Sequence, residues 1–267
     1  MRTRSNLWGC VVVALLCASA RAQTLEAKAI VQQAVTTELA ANHDDQSHWR
    51  YRQNEAGGDS SIVVETESGA ITRHVTESGQ PASDATLAAD NARIQKFIHD
   101  PGMQQKQRAN GAHDDKSATE LLNLMTQAFF WTVESETPET TTLAFQPDPS
   151  FHPPNMEARV MGAMTGTLVV DRAQHRICTM RGTMAHDVTM GFGILARIKQ
   201  GSDFDVERRQ VAPGYWQITE THVHIRGHAL FFKTIGQQED EVKTNFTLVP
   251  TGTSLEQAVE LLNEAAK

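Results

Sequence analysis

The segment Val188-Thr-Met-Gly-Phe-Gly-Ile-Leu-Ala-Arg-Ile198 is apolar at every second position: Val188, Met190, Phe192, Ile194, Ala196 and Ile198. Six matches in a row to a period of two predict a strand with one buried face. Gly191 and Gly193 share the other face, which suits a strongly bent strand or one closely approached by another element. A curved antiparallel sheet with an apolar concave side is the natural home for such a strand.

The pattern continues on both sides of that segment. After it, Phe204 and Val206 alternate with acids, and Pro213-Gly214 turns the chain into Tyr215-Trp216 and a strand through Ile225. Gly227 breaks the run before Leu230 to Ile235, and Phe246 and Leu248 close the sheet. Before it come Ile177 to Arg181, then Leu168 and Val170, then Thr141, Leu143 and Phe145 on one face. Trp49 and Tyr51, then Ile62 and Val64, then Ile71 and Val75 mark three more strands. The glycines at 57, 58 and 69 divide them into hairpins.

Helical spacing is confined to a few places. Ile30, Val31, Ala34, Val35 and Leu39 form a stripe within Leu25 to Ala41. Asp84 caps a helix carrying Leu87, Ile94, Phe97 and Ile98, which Pro101-Gly102 stops. Met103 to Lys116 is almost wholly polar and reads as an exposed connection. Ser117-Ala-Thr-Glu120 is a capping box, opening a helix that carries its apolar residues through Val133. Ser254 caps a last helix. The expected fold is one α+β domain over 23–267: a large curved antiparallel sheet, an unclosed half-barrel, wrapped around one or more helices. A helical, polar insertion falls at about 80–116. In such a fold the lining of a hydrophobic hollow falls to Trp49, Tyr51, Leu121, Met125, Phe129, Met190, Phe192, Ile194, Leu230 and Phe232. Filling of an ordinary core is the competing use of the same side chains.

Residues 1–22 read as a secretory signal: basic Arg2 and Arg4, an apolar run from Leu7 to Ala18, and Ala20-Arg-Ala22 as a small-x-small cleavage site. A periplasmic or secreted location follows, without stable membrane insertion. Cleavage removes three arginines and no acid, so the net charge falls from −8 to −11. So acidic a chain is a poor partner for nucleic acid or anionic membranes. Only Cys178 survives, which leaves no internal disulfide, and in a strand-like run it reads as a buried, inert thiol.

Chemistry is sparse. His222 and His224 point the same way on a strand, with His228 four residues on, and are candidate metal ligands; no third ligand is fixed by the sequence, His186-Asp187 being one option, and a solvent-facing strand carrying imidazoles is the simpler reading. Paired acids such as Asp44-Asp45 and Asp203-x-Asp205 read as solvated surface rather than a catalytic pair. No nucleophile elbow, zincin motif, phosphate loop or dinucleotide fingerprint occurs. No catalytic residue and no cofactor is therefore assigned.

The segments Phe145-Gln-Pro-Asp-Pro149-Ser-Phe-His-Pro-Pro154, Gly166-Thr-Leu-Val-Val-Asp171, Gly191-Phe-Gly193, Gly214-Tyr-Trp216 and Gly227-His-Ala-Leu-Phe-Phe232, with Gly201, resemble the LolA/LolB-like group of periplasmic lipoprotein-sorting and carrier proteins. The likeness covers residues 25 to 249. It implies an unclosed antiparallel barrel around helices, an oily hollow for acyl chains, no enzymatic activity and no cofactor. The expected partner is an apolar ligand or a lipidated protein. An envelope protein-interaction or sensing module without a ligand is the alternative, and a cryptic hydrolase a further one.

Overall fold

The computed structural model describes the backbone of residues 7–190, 196–229 and 236–265, and the side chains of 25–189, 197–227 and 238–265. The first element, α1 (Leu7–Asp44), leads into a meander of β1 (His48–Glu55), β2 (Ser60–Thr66) and β3 (Gly69–Glu77). Its hairpins form where the sequence places glycine. Gly57 and Gly58 both have φ near +90°, a conformation that costs any side-chain-bearing residue energy. Next come β4 (Gln80–Pro81), α2 (Asp84–His99) and α3 (Pro101–Ala128). The second half is strand-rich: β5 (Phe129–Glu136), β6 (Thr140–Pro147), α4 (Met156–Met161), β7 (Met164–Asp171), β8 (Ile177–Met184), β9 (Val188–Met190), β10 (Ala196–Ile198), β11 (Asp203–Ala212), β12 (Tyr215–Ala229), β13 (Gly236–Val249) and α5 (Leu255–Ala265).

The strands form one 13-stranded antiparallel sheet in the order β4-β3-β2-β1-β13-β12-β11-β8-β7-β6-β5, with β10 added to β12 and β9 to β10. Among the described residues β4 and β5 do not meet, so the sheet is open. The expected class holds: an α+β fold with a large unclosed antiparallel sheet packed against several helices.

Paired residues share a face, so the register can be followed across the sheet. Leu143 pairs with Leu168, Leu168 with Met180, Met180 with Val206, Val206 with Thr221 and Thr221 with Glu241. On this side α1 buries Ala27, Val31, Ala34 and Val35 against Leu143, Phe145, Leu168 and Trp131. The opposite side carries Arg181, Asp205, His222 and Asp240, which pair in sequence. Alternation along β13 puts Val242 and Thr244 on that side too, and Thr244 pairs with Arg52, itself paired with Ile62. Ile62, Val64 and Ile71 are covered there by α2 and α5, through Ile94, Phe97, Leu255 and Leu262. Helices thus cover the two ends of the sheet from opposite faces.

Several local expectations are corrected. Val188–Ile198 is not one strand: its two ends, β9 and β10, pair antiparallel with each other, Met190 with Ala196 and Val188 with Ile198. Residues 191–195 between them lie outside the described residues. The helix that carries Ile94 and Phe97 does end just before Pro101, at His99, but Pro101 also begins the next one, because Asp100 caps it by accepting the N–H groups of Gly102 and Met103, and a first-turn proline has no N–H to lose. The polar stretch 103–116 is therefore helix, exposed along most of its length, and the Ser117 capping box lies inside α3. That helix ends at Ala128, and Phe129, Trp131 and Val133 belong to β5, with Phe130 on the outer side. The cap of α2 is Ser83, one residue before the expected Asp84.

Candidate functional site

Glu38 sits in the apolar stripe of α1, one turn beyond Ala34 and Val35 and two beyond Val31, and is fully buried. Its carboxylate accepts hydrogen bonds from Arg176 Nε and Nη2, each 3.1 Å, and from the Ile177 N–H at 2.8 Å. Arg208 Nη1 pairs with the same carboxylate. Burial alone would push the carboxyl up; the two guanidiniums and the Ile177 N–H outweigh it and hold the pKa below its ordinary value. One carboxylate facing two guanidiniums leaves one net positive charge. Arg176 also lies over the Trp216 ring, 5.5 Å from its centroid, and the Trp216 indole N–H donates to Gln174 Oε1 at 3.2 Å.

This node forms the floor of a cleft of about 370 Å³, whose walls include Asp44, Asp45, Tyr215 and Trp216. A neighbouring hollow of about 280 Å³ shares Arg208 and Trp216 and reaches Cys178. Burial, and then the nearby Asp171, push the Cys178 thiol up, so little of it is thiolate near neutral pH.

Beyond Arg208 the same face of the sheet turns apolar. Arg208 is paired with Ile218, Val206 with Met180 and Thr221, and Phe204 with Gly182 and Val223. Ile218 is 41% exposed, while Met180, Phe204, Val206 and Val223 are half-buried. The Phe204 ring lies where a Gly182 side chain would stand.

The residues expected to line a hollow fall into separate groups. Trp49 and Tyr51 are buried in an aromatic cluster with Val63, Tyr215 and Phe246; the Trp49 and Tyr215 rings are 5.4 Å apart, edge to face. Tyr215 also lines the cleft, so this cluster adjoins it. Inside the cluster the Trp49 N–H donates to Glu65 Oε2 at 3.0 Å, and burial pushes the Glu65 carboxyl up. Burial, with Glu65 and Glu241 nearby, also pushes the Tyr51 phenol up. Met125 and Phe129 belong instead to the core under α1, where Phe129 and Phe145 are 4.6 Å apart, and Leu121 is half-buried against it. Met190 ends β9, but its side chain, like all of Phe192, Ile194, Leu230 and Phe232, lies outside the described residues.

His222 and His224 do share a side. His222 Nδ1 is 2.8 Å from Asp240 Oδ1; His224 Nδ1 is 2.9 Å from Asp203 Oδ1, and its Nε2 is 3.2 Å from Asp240 Oδ1. Both imidazoles are thus engaged by carboxylates on the flanking strands. Among the described residues no group of three or more His, Cys, Asp or Glu is arranged to hold a metal ion. His228 is backbone-paired with Arg197, and its side chain lies outside the described residues.

The Glu38–Arg176–Arg208 node escaped sequence reasoning. Its one local signal is an acid within the buried stripe of an amphipathic helix; its partners lie 138 and 170 residues away. The fold and site define an open-sheet α+β protein with a charged, aromatic-walled cleft beside an apolar strip. No protein-family model, no curated protein and no solved structure matches the chain.

Proposed function

We propose that this protein is a non-enzymatic binding or carrier protein, which holds a lipid, an acyl chain or a lipid-modified protein against the α1 side of its open sheet. It acts in the periplasm or outside the cell once residues 1–22 are removed. One observation carries the reading: the partly exposed row Met180, Phe204, Val206, Val223 and Ile218 runs away from the charged cleft on the same face. A chain-binding strip beside a headgroup-sized hollow is the layout an amphiphile needs. Apolar surface left in water forgoes about 25 cal/mol per Å² of burial, which a bound acyl chain recovers. The resemblance to the LolA/LolB-like carriers supports the same assignment. A raised Cys178 thiol beside the hollow favours binding over covalent chemistry.

Native mass spectrometry of the mature protein from periplasmic extract tests the proposal. One acyl species per chain, removable with organic solvent, is the expected result. Protein that emerges bare and takes up no fluorescent fatty acid overturns it. A stoichiometric protein partner with no lipid favours the interaction-module reading instead, for which Phe130, 52% exposed on the terminal strand β5, is a suitable anchor.

A further inference from the structure

The cleft at the end of α1 carries an unusual division of charge. On its floor, Arg176 and Arg208 have side chains only 10% and 17% exposed and share the single carboxylate of Glu38. Arg176 uses Nε and Nη2 on Glu38, and Arg208 uses Nη1. Among the described residues no hydrogen bond engages Arg176 Nη1 or Arg208 Nε and Nη2, and both side chains line the cleft. They remain available to an acceptor in the cleft.

The walls are opposite in sign. Asp44 and Asp45 line the cleft, together with Ala41 and Asn42 from the last turn of α1. The final carbonyls of a helix carry a partial negative charge that favours cations. Tyr215 and Trp216 add aromatic faces, which also favour cations. A simple anion would meet the guanidiniums but be repelled by the aspartates and the helix end. A simple cation would meet the reverse. A ligand carrying both charges a few bonds apart satisfies each wall, and 370 Å³ lies within the ~300–1,000 Å³ range of small-molecule sites.

We infer that this cleft takes a zwitterionic headgroup, a phosphate bearing a nearby ammonium as in phosphoethanolamine, with the phosphate on Arg176 and Arg208 and the ammonium between Asp44, Asp45 and the aromatic rings. The inference rests on the carrier reading, since the strip beginning at Ile218 and Val206 would then receive the acyl chain. Arginine suits the phosphate because its planar fork binds tetrahedral and planar oxyanions through paired N–H donors.

The test is displacement of a fluorescent fatty acid from the mature protein. The competitors are lysophosphatidylethanolamine, lysophosphatidylglycerol and monoacylglycerol of one chain length, with soluble O-phosphoethanolamine as a fourth. Lysophosphatidylethanolamine is expected to compete at about tenfold lower concentration than either other lipid, the effect of one well-placed charged contact. Substituting Asp44→Asn and Asp45→Asn together should erase most of its lead over lysophosphatidylglycerol. Both side chains lie at the helix end, and asparagine at 45 can still accept the Ser47 N–H that Asp45 now accepts at 2.9 Å. Equal competition by all three lipids overturns the headgroup inference and leaves the carrier reading standing. A fatty acid that never binds, with no lipid taken up, overturns both. Soluble phosphoethanolamine competing as well as the lysolipid upholds the zwitterion site and overturns the lipid assignment.

Discussion

Glu38 and Asp90 are both buried acids, on helices that cover opposite faces of the sheet, yet they hold those helices in different ways. Glu38 is matched by groups that are themselves mostly buried: Arg176 and Arg208, 10% and 17% exposed at the cleft floor, and the Ile177 N–H. Asp90, on α2, accepts the backbone N–H of His74 at 2.8 Å, lies 3.0 Å from the His74 Nδ1, and pairs with Arg93 three residues away; the His74 and Arg93 side chains are 41% and 48% exposed. In both, burial raises the carboxyl pKa and the partners outweigh it, leaving the group below its ordinary value. The comparison shows that burial of one partner does not set the strength of an ion pair. What matters is whether the other partner can return to water when the pair is broken.

The largest expected effect is therefore at Glu38. Replacing it with alanine leaves two largely buried guanidiniums without their carboxylate and should cost about 3–5 kcal/mol of unfolding free energy in urea titration. Hydrogen exchange should then show α1 and β8 opening while α5 stays protected. A loss equal to that at Asp90 would break the contrast. At Asp90, alanine should cost about 1–2 kcal/mol, because Arg93 and the His74 ring can both turn to solvent and chiefly one backbone N–H goes unpaired. The same urea titration checks it.

The smallest effect concerns the exposed side of the sheet centre, where His224 bridges Asp203 on β11 and Asp240 on β13. The Asp203 and Asp240 carboxylates hold its pKa above the ordinary 6.5, while Gln238, His222 and His224 bring the Asp240 carboxyl down to about 2. A raised histidine pKa means that the stabilisation is complete below the ordinary value and disappears as pH rises through the folded one. Amide protection of β11 to β13, corrected for intrinsic exchange, should thus fall as pH rises above the ordinary histidine value of 6.5. His224→Gln should flatten that dependence. A profile unchanged by this substitution would locate the titration elsewhere.

Much of the fold was legible from local period. Thr141, Leu143 and Phe145, Ile62 and Val64, and the stripe through Val31 and Val35 are all buried as their spacing predicts. The exception at Val188–Ile198 has a simple cause. Met190 pairs with Ala196, so residues of equal parity in the two arms share a face, and an odd number of residues between the arms preserves the alternation. Period two cannot separate such a hairpin from a single strand. In α3 the failure is the reverse: residues 103–116 meet water on most sides and so carry no apolar period, and the helix there is set by the Asp100 cap and by packing at its two ends. Phe129 to Val133 did show alternation, but the leucines before it made a helical reading the stronger one.

The candidate site was less legible than the fold. Tyr215 and Trp216 were visible as a turn and two aromatics, and Asp44-Asp45 as an acidic pair, but nothing local joins them to Arg176 and Arg208. Hydrophobic period and turn chemistry are properties of neighbouring residues, so the chain alone determined the antiparallel sheet, most of its strands and the helices that cover its ends. Which face each helix covers, which arginines meet Glu38, and where apolar side chains remain half in water depend on registers between segments more than a hundred residues apart. Tertiary structure alone decided those, because a paired charge or a shared face exists only once two distant strands have been laid side by side.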